Sequence, residues 1–395
     1  MNRASSRHHP DDQQHPLLKL IDPLQNSYDP ATVNIHANVV QATHGETVRD
    51  EVLGSGAGNA THQSFVLQKP PLTFVPAITP SGAASTLQVR VNDVLWQNVS
   101  SLYQQPPEAQ VYITRIADDG TVTLTFGDGE SGARLPSGEE NVIATYRSGI
   151  GLGGNLAAGK LSLLPNRPLG ITDVTNPVPA TGAANPETMA EARESAPRAV
   201  RTLDRIVSFQ DYEDFARAFA GIGKAQAAVL WAGGIQQVQI TVAAVGGAAV
   251  LPETALYDNL VRAIDAARDP VQQVQVDSYE PLLFNVEAKL LIDPAYLEAK
   301  VLAQVKAALL QQFTFEQRDF GQSVTKSQVI ATIQAVKGVL AVDLDALYRR
   351  DRPRSLEPTL EALAARWDRE TSQILPAQLL SLSPAGIRLS VEATL

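Results

Sequence analysis

The stretch from Thr121 to Gly159, TVTLTFGDGESGARLPSGEENVIATYRSGIGLGGNLAAG, constrains this chain more than any other. In TVTLTF, Val122, Leu124 and Phe126 fall on one face and the threonines on the other, a period of two that marks a half-buried strand. In NVIATYR the corresponding face carries Val142, Ala144 and Tyr146. Between the strands, Gly127, Asp128, Gly129, Gly132, Pro136 and Gly138 supply left-handed and proline-fixed backbone positions. No nucleophile stands beside a base here. The stretch reads as a shaped backbone, and shape is what assembly proteins need.

Several function classes are excluded or disfavoured by what the rest of the chain lacks. At 395 residues it is too long for one ordinary core, so two or three domains are expected. No run of about 18 apolar residues is present, which argues against a membrane-inserted segment, and MNRASSRHHPDDQQHP has no apolar core of a signal peptide. Synthesis and assembly in the cytoplasm are therefore expected. The net charge of -10 argues against a nucleic-acid partner. The absence of cysteine removes disulfides, thiolate metal sites and cysteine nucleophiles. All six histidines (His8, His9, His15, His36, His44, His62) precede Gln63, so the main body must work without imidazole unless the N-terminal segment folds back into it. No catalytic residue, cofactor or metal site is expected.

The fold class expected is α+β and multidomain: a β-rich barrel or sandwich followed by two small helix-on-sheet domains. Residues 1–24 are polar and proline-bearing, a disordered or extended arm. Residues 25–148 form the β-rich domain, with the turn Asp118-Asp119-Gly120 as a hairpin signal. Residues 149–200, rich in Gly, Pro and Asn, form an extended connector lying over a neighbouring surface. In the first α+β domain, 201–280, Ser208 and Asp211 cap a helix whose face is Tyr212, Phe215, Ala216 and Phe219, with Val207 and Tyr212 as a hydrophobic staple. Pro252 opens a second helix, which Asp269-Pro270 ends. In the second domain, 281–395, Asp293-Pro294 is expected to cap a long helix and Thr325 with Gln328 to box another. Its element order is expected to repeat that of the first domain. A charged insertion, 349–372, precedes LLSLSP and IRLSVEA, expected as a closing hairpin.

Three motifs suggest chemistry. Gly149-x-Gly151-x-x-Gly154 has the dinucleotide-binding spacing, but the segment after it is broken by Gly159 and Pro165, and no βαβ unit is visible. A loop that allows close backbone approach fits better. FGDGESG invites a calcium reading but lacks the alternating acidic ligands of an EF-hand loop. Asp118-Asp119 and Glu139-Glu140 have nothing to fix the spacing that glycoside hydrolysis needs. Arg349, Arg350, Arg352 and Arg354 form a basic cluster that neighbouring acidic residues offset, so a salt-bridged surface is the plain reading.

FGDGESGARLPSGEENVIATYRSGIGLGGNLAAG resembles the signature of baseplate J-like proteins, wedge components of contractile phage tails and of bacterial contractile injection systems. The segments YDPATVNIHANVVQATHGETV, VLGSG, QKPPLTFVPA, RPLGITDVTNP, ARESAPRAVRTLDRIVSFQDYEDFARAF and LPAQLLSLSPAGIRLS extend the resemblance over about residues 25–395, and most closely to baseplate assembly proteins of extracellular injection particles. Many relatives carry a large N-terminal region before the YDPATVNIHANVV-like segment, whereas a short polar arm precedes it here. That implies a compact member, or a wedge missing part of its bundle-forming contact.

The resemblance implies a structural role without covalent chemistry: a wedge subunit of a hexameric ring around the spike and hub, linking them to the sheath, whose rearrangement triggers contraction. Implied partners are a second wedge subunit, further copies of the chain, a sheath-initiator protein and spike or hub proteins. The interface candidates are Phe126, Asp128, Arg134, Gly149, Gly151, Gly154, Asn155, Arg349, Arg350 and Arg352. Valine at Gly151 or Gly154 is expected to block assembly and leave the isolated fold largely intact. The alternative class is a carbohydrate-active enzyme using Asp128 and Glu130, or a glycan-binding adhesin built on residues 73–148.

Overall fold

A computed structural model gives the backbone of residues 4–9 and 12–20 and describes residues 38–392 apart from 41, 181, 188, 190–192, 194–204, 233 and 253. The expectations for YDPATVNIHA (28–37) and most of ARESAPRAVRTLD lie outside the described residues. The chain divides into two compact units, Met1–Thr43 and His44–Leu395. Within the first, β1 (Ala4–His9) and β2 (Asp12–Leu20) pair antiparallel, with Ala4 opposite Leu20, where the sequence suggests a disordered or extended arm.

The second unit is α+β and multidomain. Its β-rich part contains β3 (Glu46–Gly56), β4 (Ser64–Val66), β5 (Phe74–Pro76), β6 (Ala83–Ser85), β7 (Gln88–Val91), β8 (Val94–Asn98), β9 (Val111–Ile116), β10 (Val122–Phe126) and β11 (Gly138–Ser148). Seven of them form one sheet in the order β3-β11-β7-β8-β9-β10-β4, in which only the β8–β9 pair is parallel. The sheet curls until its outer strands approach: a Cβ on Gly54 of β3 would lie 2.7 Å from the Phe65 ring in β4. A nearly closed barrel results.

The period-two faces of β10 and β11 point inward. Val122, Leu124, Phe126, Val142 and Ala144 are fully buried, and Tyr146 is almost so. Phe126 sits among three rings, 5.4 Å from Trp96 and 5.9 Å from both Phe65 and Tyr112. Burial pushes the Tyr112 phenol up to about 12, against a smaller opposing effect from Asn98. The β5–β6 hairpin stands outside the sheet and reaches the next domain. There Ala220 N–H donates to the Ser81 carbonyl (2.9 Å), and a Cβ on Gly82, at φ +72°, would strike the Phe219 ring.

The first helix-on-sheet domain comprises α1 (Phe209–Ala218), β12 (Ile222–Ala232), β13 (Ile235–Ala244), α2 (Ala255–Ala267) and β14 (Gln273–Ser278). Ser208 and Asp211 form the capping box of α1, which buries Tyr212, Phe215 and Ala216. The staple differs from the expected one: Val207 is 86% exposed, and Ile206 enters the core with Tyr212 instead. The N-cap of α2 is Thr254, whose hydroxyl accepts from Tyr257 N–H, two residues after Pro252. In β13, Val238, Ile240 and Val242 face the helices, while Gln237, Gln239 and Thr241 face the other way.

The second domain follows without a loop. It holds β15 (Glu280–Ile292), α3 (Glu298–Gln312), β16 (Val324–Thr325), α4 (Lys326–Gln334), β17 (Val339–Arg349), β18 (Thr359–Leu360), β19 (Arg366–Asp368), β20 (Gln373–Leu375) and β21 (Gln378–Val391). Thr325 and Gln328 box α4. The Asp293-Pro294 pair does not cap α3. Asp293 Oδ1 accepts from Ala295 N–H in a turn upstream, and the N-cap is Leu297, which has no side-chain bond. LLSLSP and IRLSVEA do not fold back as a hairpin either. They form one strand parallel to β15, with Ser383, Pro384, Ala385 and Gly386 bulging opposite Asn285. A bulge on an outer strand tolerates the proline, which has no N–H to donate.

Both domains have a three-stranded mixed sheet, β12-β13-β14 and β17-β15-β21, each centred on a strand with one antiparallel and one parallel neighbour. The element order is not repeated. In the first domain a hairpin leads to the antiparallel neighbour and a helix to the parallel one, whereas in the second the helices lead to the antiparallel neighbour. The insertion is also more than charged surface, because Leu360, Ala362 and Ala365 are buried.

The far face of the first sheet packs against the second domain. Thr241, fully buried, accepts a hydrogen bond from Ala377 N–H (3.0 Å). Ala243, Tyr279, Phe320, Ala365 and Leu379 form a small apolar cluster around it. Lys224 Nζ donates to the Glu316 carbonyl and lies 5.3 Å from the Phe315 ring centre. Thr241→Val keeps the shape but leaves the Ala377 N–H buried without an acceptor, which costs about 1–3 kcal/mol. Denaturant unfolding of the variant is expected to show a loss in that range, and an unchanged midpoint would show that this bond contributes nothing.

Candidate functional site

The turn after β10 is built by backbone. Asp128 Oδ1 accepts from Glu130 N–H (2.9 Å) and Ser131 N–H (2.7 Å), while Arg134 Nε donates to the Asp128 carbonyl. Those amide bonds, Ser131 first, hold the Asp128 carboxyl below its ordinary range. Gly127 packs so closely on Gly132 that a Cβ would fall 2.3 Å from the Gly132 oxygen. Asp128 and Arg134 therefore present a fixed surface turn. Phe126, an interface candidate by sequence, is fully buried in the barrel and cannot meet a partner. The same turn disfavours Asp128 as an acid or base, because one oxygen is committed to the backbone.

The loop SGIGLGGN starts a short 3-10 turn, Gly151–Gly154, not the α-helix a dinucleotide site needs. Its own chain fills it. His44 Nε2 accepts from Ile150 N–H (3.2 Å), Arg147 Nη2 donates to the His44 carbonyl, and Asn185 Oδ1 accepts from Leu152 N–H (3.0 Å). Asn155 caps the turn through its N–H to the Leu152 carbonyl. Gly154 is buried with a would-be Cβ 2.4 Å from His44 Cγ, and Gly151, at φ +59°, would place one 2.5 Å from Asn185 Oδ1. Only Gly149 keeps more space, at 3.0 Å from Thr73 Oγ1. Valine at Gly151 or Gly154 thus disturbs the loop itself, contrary to the expectation of an intact isolated fold.

The arginine cluster is partly neutralised. Arg349 Nε donates to Asp351 Oδ1 (2.9 Å), and Arg354 Nε to Glu287 Oε2 (2.9 Å), where Arg388 also binds (3.1 Å). Arg350 anchors its loop through its backbone N–H to the Leu283 carbonyl. Arg349 and Arg352 line a cleft of about 330 Å³ with Arg366, Glu357 and Glu361. The structure does not bring these arginines together with the SGIGLGGN loop into one described site. Among the described residues no group of three or more His, Asp or Glu could hold a metal ion.

Sequence reasoning missed two apolar surfaces. In the connector, Leu163, Leu169 and Val178 are 75%, 106% and 68% exposed, and Ile150 and Ile171 are exposed as well. Asn176 clasps the loop base: its carbonyl accepts from Gly159 N–H, its Oδ1 from Leu161 N–H, and its Nδ2 donates to Ala157 and Val178 carbonyls. The signal was present in LSLLPNRPLGI, which is apolar without either period. The second surface is the β12–β13 tip, where Trp231 and Ile235 are exposed beside the left-handed Gly234.

Residues 204–277 match the family model of the Baseplate J-like central domain, a stretch that spans α1 to β14. The match covers this one domain and not the rest of the chain. It is also similar to a chain in the cryo-EM structure of the anti-feeding prophage (AFP) baseplate, 6-fold symmetrised, at 12% identity and a TM-score of 0.38, covering 85% of this chain and 76% of that one. A score this low bears on neither function nor fold. Comparison with curated proteins gives no match.

Two substitutions test the barrel core and the packing of the SGIGLGGN loop. Phe126→Ala is expected to destabilise the barrel by about 3–5 kcal/mol in denaturant unfolding, as a buried phenylalanine does; an effect near zero would contradict its core position. Gly154→Ala is expected to cost about 1–3 kcal/mol by overpacking. Adding His44→Ala should restore most of that loss, and an additive double variant would refute the contact.

Proposed function

We propose that this chain is a structural baseplate subunit of a contractile injection particle, acting as a wedge. The observation that carries the reading is the Baseplate J-like central domain at residues 204–277. In this reading the chain joins others in a ring around the spike and hub and links them to the sheath, and rearrangement of the ring triggers contraction. Its partners are a second wedge subunit, further copies of itself, a sheath-initiator protein and spike or hub proteins. Nucleic acid is not among them. Among the described residues no helix is long and apolar enough to cross a membrane, which is compatible with a component assembled in the cytoplasm into a tail-like particle.

The exposed surfaces suit this role. A heterologous ring contact requires different patches on the two sides of one subunit. The connector tip around Leu163 and Leu169, the Asp128–Arg134 turn, Gly149 and Asn155 at the SGIGLGGN loop, and the Arg349–Arg352 segment are the proposed contacts. The packed α+β pair would serve as the rigid body that carries them.

The test is recovery of the tagged chain from its native cells, with electron microscopy and mass spectrometry of the proteins that accompany it. Sheathed rods containing tube, sheath and spike proteins are expected. The chain recovered alone, under conditions in which such rods are made, would overturn the reading.

A further inference from the structure

Between the two α+β domains lies a cleft of about 530 Å³ whose chemistry the baseplate reading does not use. One wall is the outward face of the first sheet, contributing Gln237, Gln275 and Asp277. The opposite wall comes from the β19–β20 hairpin, with Trp367, Gln373 and Ile374. This position follows from the strand period. Gln237, Gln239 and Thr241 of β13 and Gln275 and Asp277 of β14 share the face that does not meet the helices, and Gln237 stands opposite Gln273 and Gln239 opposite Gln275 in register.

The polar groups of this wall are aligned toward one carboxylate. Gln237 Nε2 donates to Gln275 Oε1 (3.1 Å), Gln275 Nε2 to Asp277 Oδ2 (2.7 Å), and Gln239 Nε2 to the same Asp277 oxygen (2.8 Å). Two of these donors converge on one Asp277 oxygen, Oδ2. Gln239 is fully buried and supports Asp277 from behind the wall, not from within the cleft. Asp277 makes no ion pair among the described residues, and no Lys or Arg lines the cleft. The cleft therefore holds one carboxylate without an ion-pair partner and an indole.

That combination selects a cation that donates several hydrogen bonds and has a flat face. A guanidinium meets a carboxylate edge with two N–H groups and can lie against an indole, where the attraction adds to the ion pair. A neutral sugar would supply hydroxyls and a stacking face but no counter-charge. We propose that this cleft receives the guanidinium of an arginine side chain presented by a neighbouring protein chain, with Asp277 as its ion-pair partner and Trp367 as its platform. The cleft chemistry stands without the baseplate reading, which bears only on which chain carries the arginine.

The test is calorimetric titration of the full chain with N-acetyl-arginine N-methylamide and with its neutral isostere, N-acetyl-citrulline N-methylamide. The arginine probe is expected to bind at least about tenfold more tightly than the citrulline probe, as expected for a charge-assisted pair. Asp277→Asn, which keeps the shape and still accepts from Gln239 and Gln275, should lose about tenfold in affinity, and Trp367→Leu should weaken binding while the thermal midpoint of each variant is followed to confirm folding. Equal binding of the two probes, or unchanged binding by both variants, would overturn the proposal. Binding of N-acetylglucosamine with none of the arginine probe would overturn it in favour of a sugar cleft. Failure of either kind leaves particle recovery unaffected, so the two readings fail separately.

Discussion

Two backbone hydrogen bonds at the junction of the α+β domains fix everything around them. Tyr279 N–H donates to the Val242 carbonyl of the first sheet (2.9 Å), and the next residue, Glu280, donates to the Ala377 carbonyl beside the second (3.0 Å). With one residue between β14 and β15, the chain has almost no freedom to let the sheets move apart. Once they are held, Thr241 can meet Ala377, Tyr279 can pack between Phe315 and Phe320 at 5.8 and 5.6 Å, and the amide face of the first sheet is enclosed. Tyr279 also donates its hydroxyl to the Gly247 carbonyl (2.7 Å), tying in the loop that leaves β13.

The barrel is attached to that pair by a different device. A hairpin, β5–β6, crosses to α1, and the absence of a side chain at Gly82 lets Phe219 approach its backbone. Phe219 is itself part of the first domain's core. One aromatic ring therefore serves both bodies, and a change at either end of this contact is felt in both. The connector begins at Gly149, beside the point where Leu72 bridges Ser148 and Thr73 N–H donates to the Arg147 carbonyl, so its exposed apolar side chains leave the barrel at the end that the hairpin anchors.

Much of this is legible in the sequence, for local reasons. The period of two places Phe126 and Tyr146 inward, and the capping boxes at Ser208 and Thr325 mark two helix starts, because both signals depend on residues within one turn or strand. The features that escape such reading are non-local. Val207 has the spacing of a staple residue, yet Ile206 is the one that reaches the core. Pro384 and Gly386 have the composition of a hairpin turn, although Asn285 across the sheet makes them a bulge. The glycines of SGIGLGGN are sites of close approach, as their type suggests, but the approaching group is the chain's own His44, more than a hundred residues earlier. Phe126 stands beside a glycine-rich turn and so resembles an interface residue, but a sequence neighbourhood says nothing about depth.

By itself the sequence determined the α+β class, the inward faces of the barrel strands, the helix starts at Ser208 and Thr325 and the lack of cysteine or late histidine chemistry, since these follow from side-chain type and short-range periodicity. Tertiary structure alone decided the fate of the polar face of β13. Alternation in QQVQITVAA reads as one buried and one wetted side, and Gln239 and Thr241 are fully buried all the same, because a second domain packs on the side that the pattern leaves to water. Periodicity shows that two faces differ; only the packing of another sheet determines whether the polar one meets solvent, a backbone amide at Ala377, or a cleft that ends on Asp277.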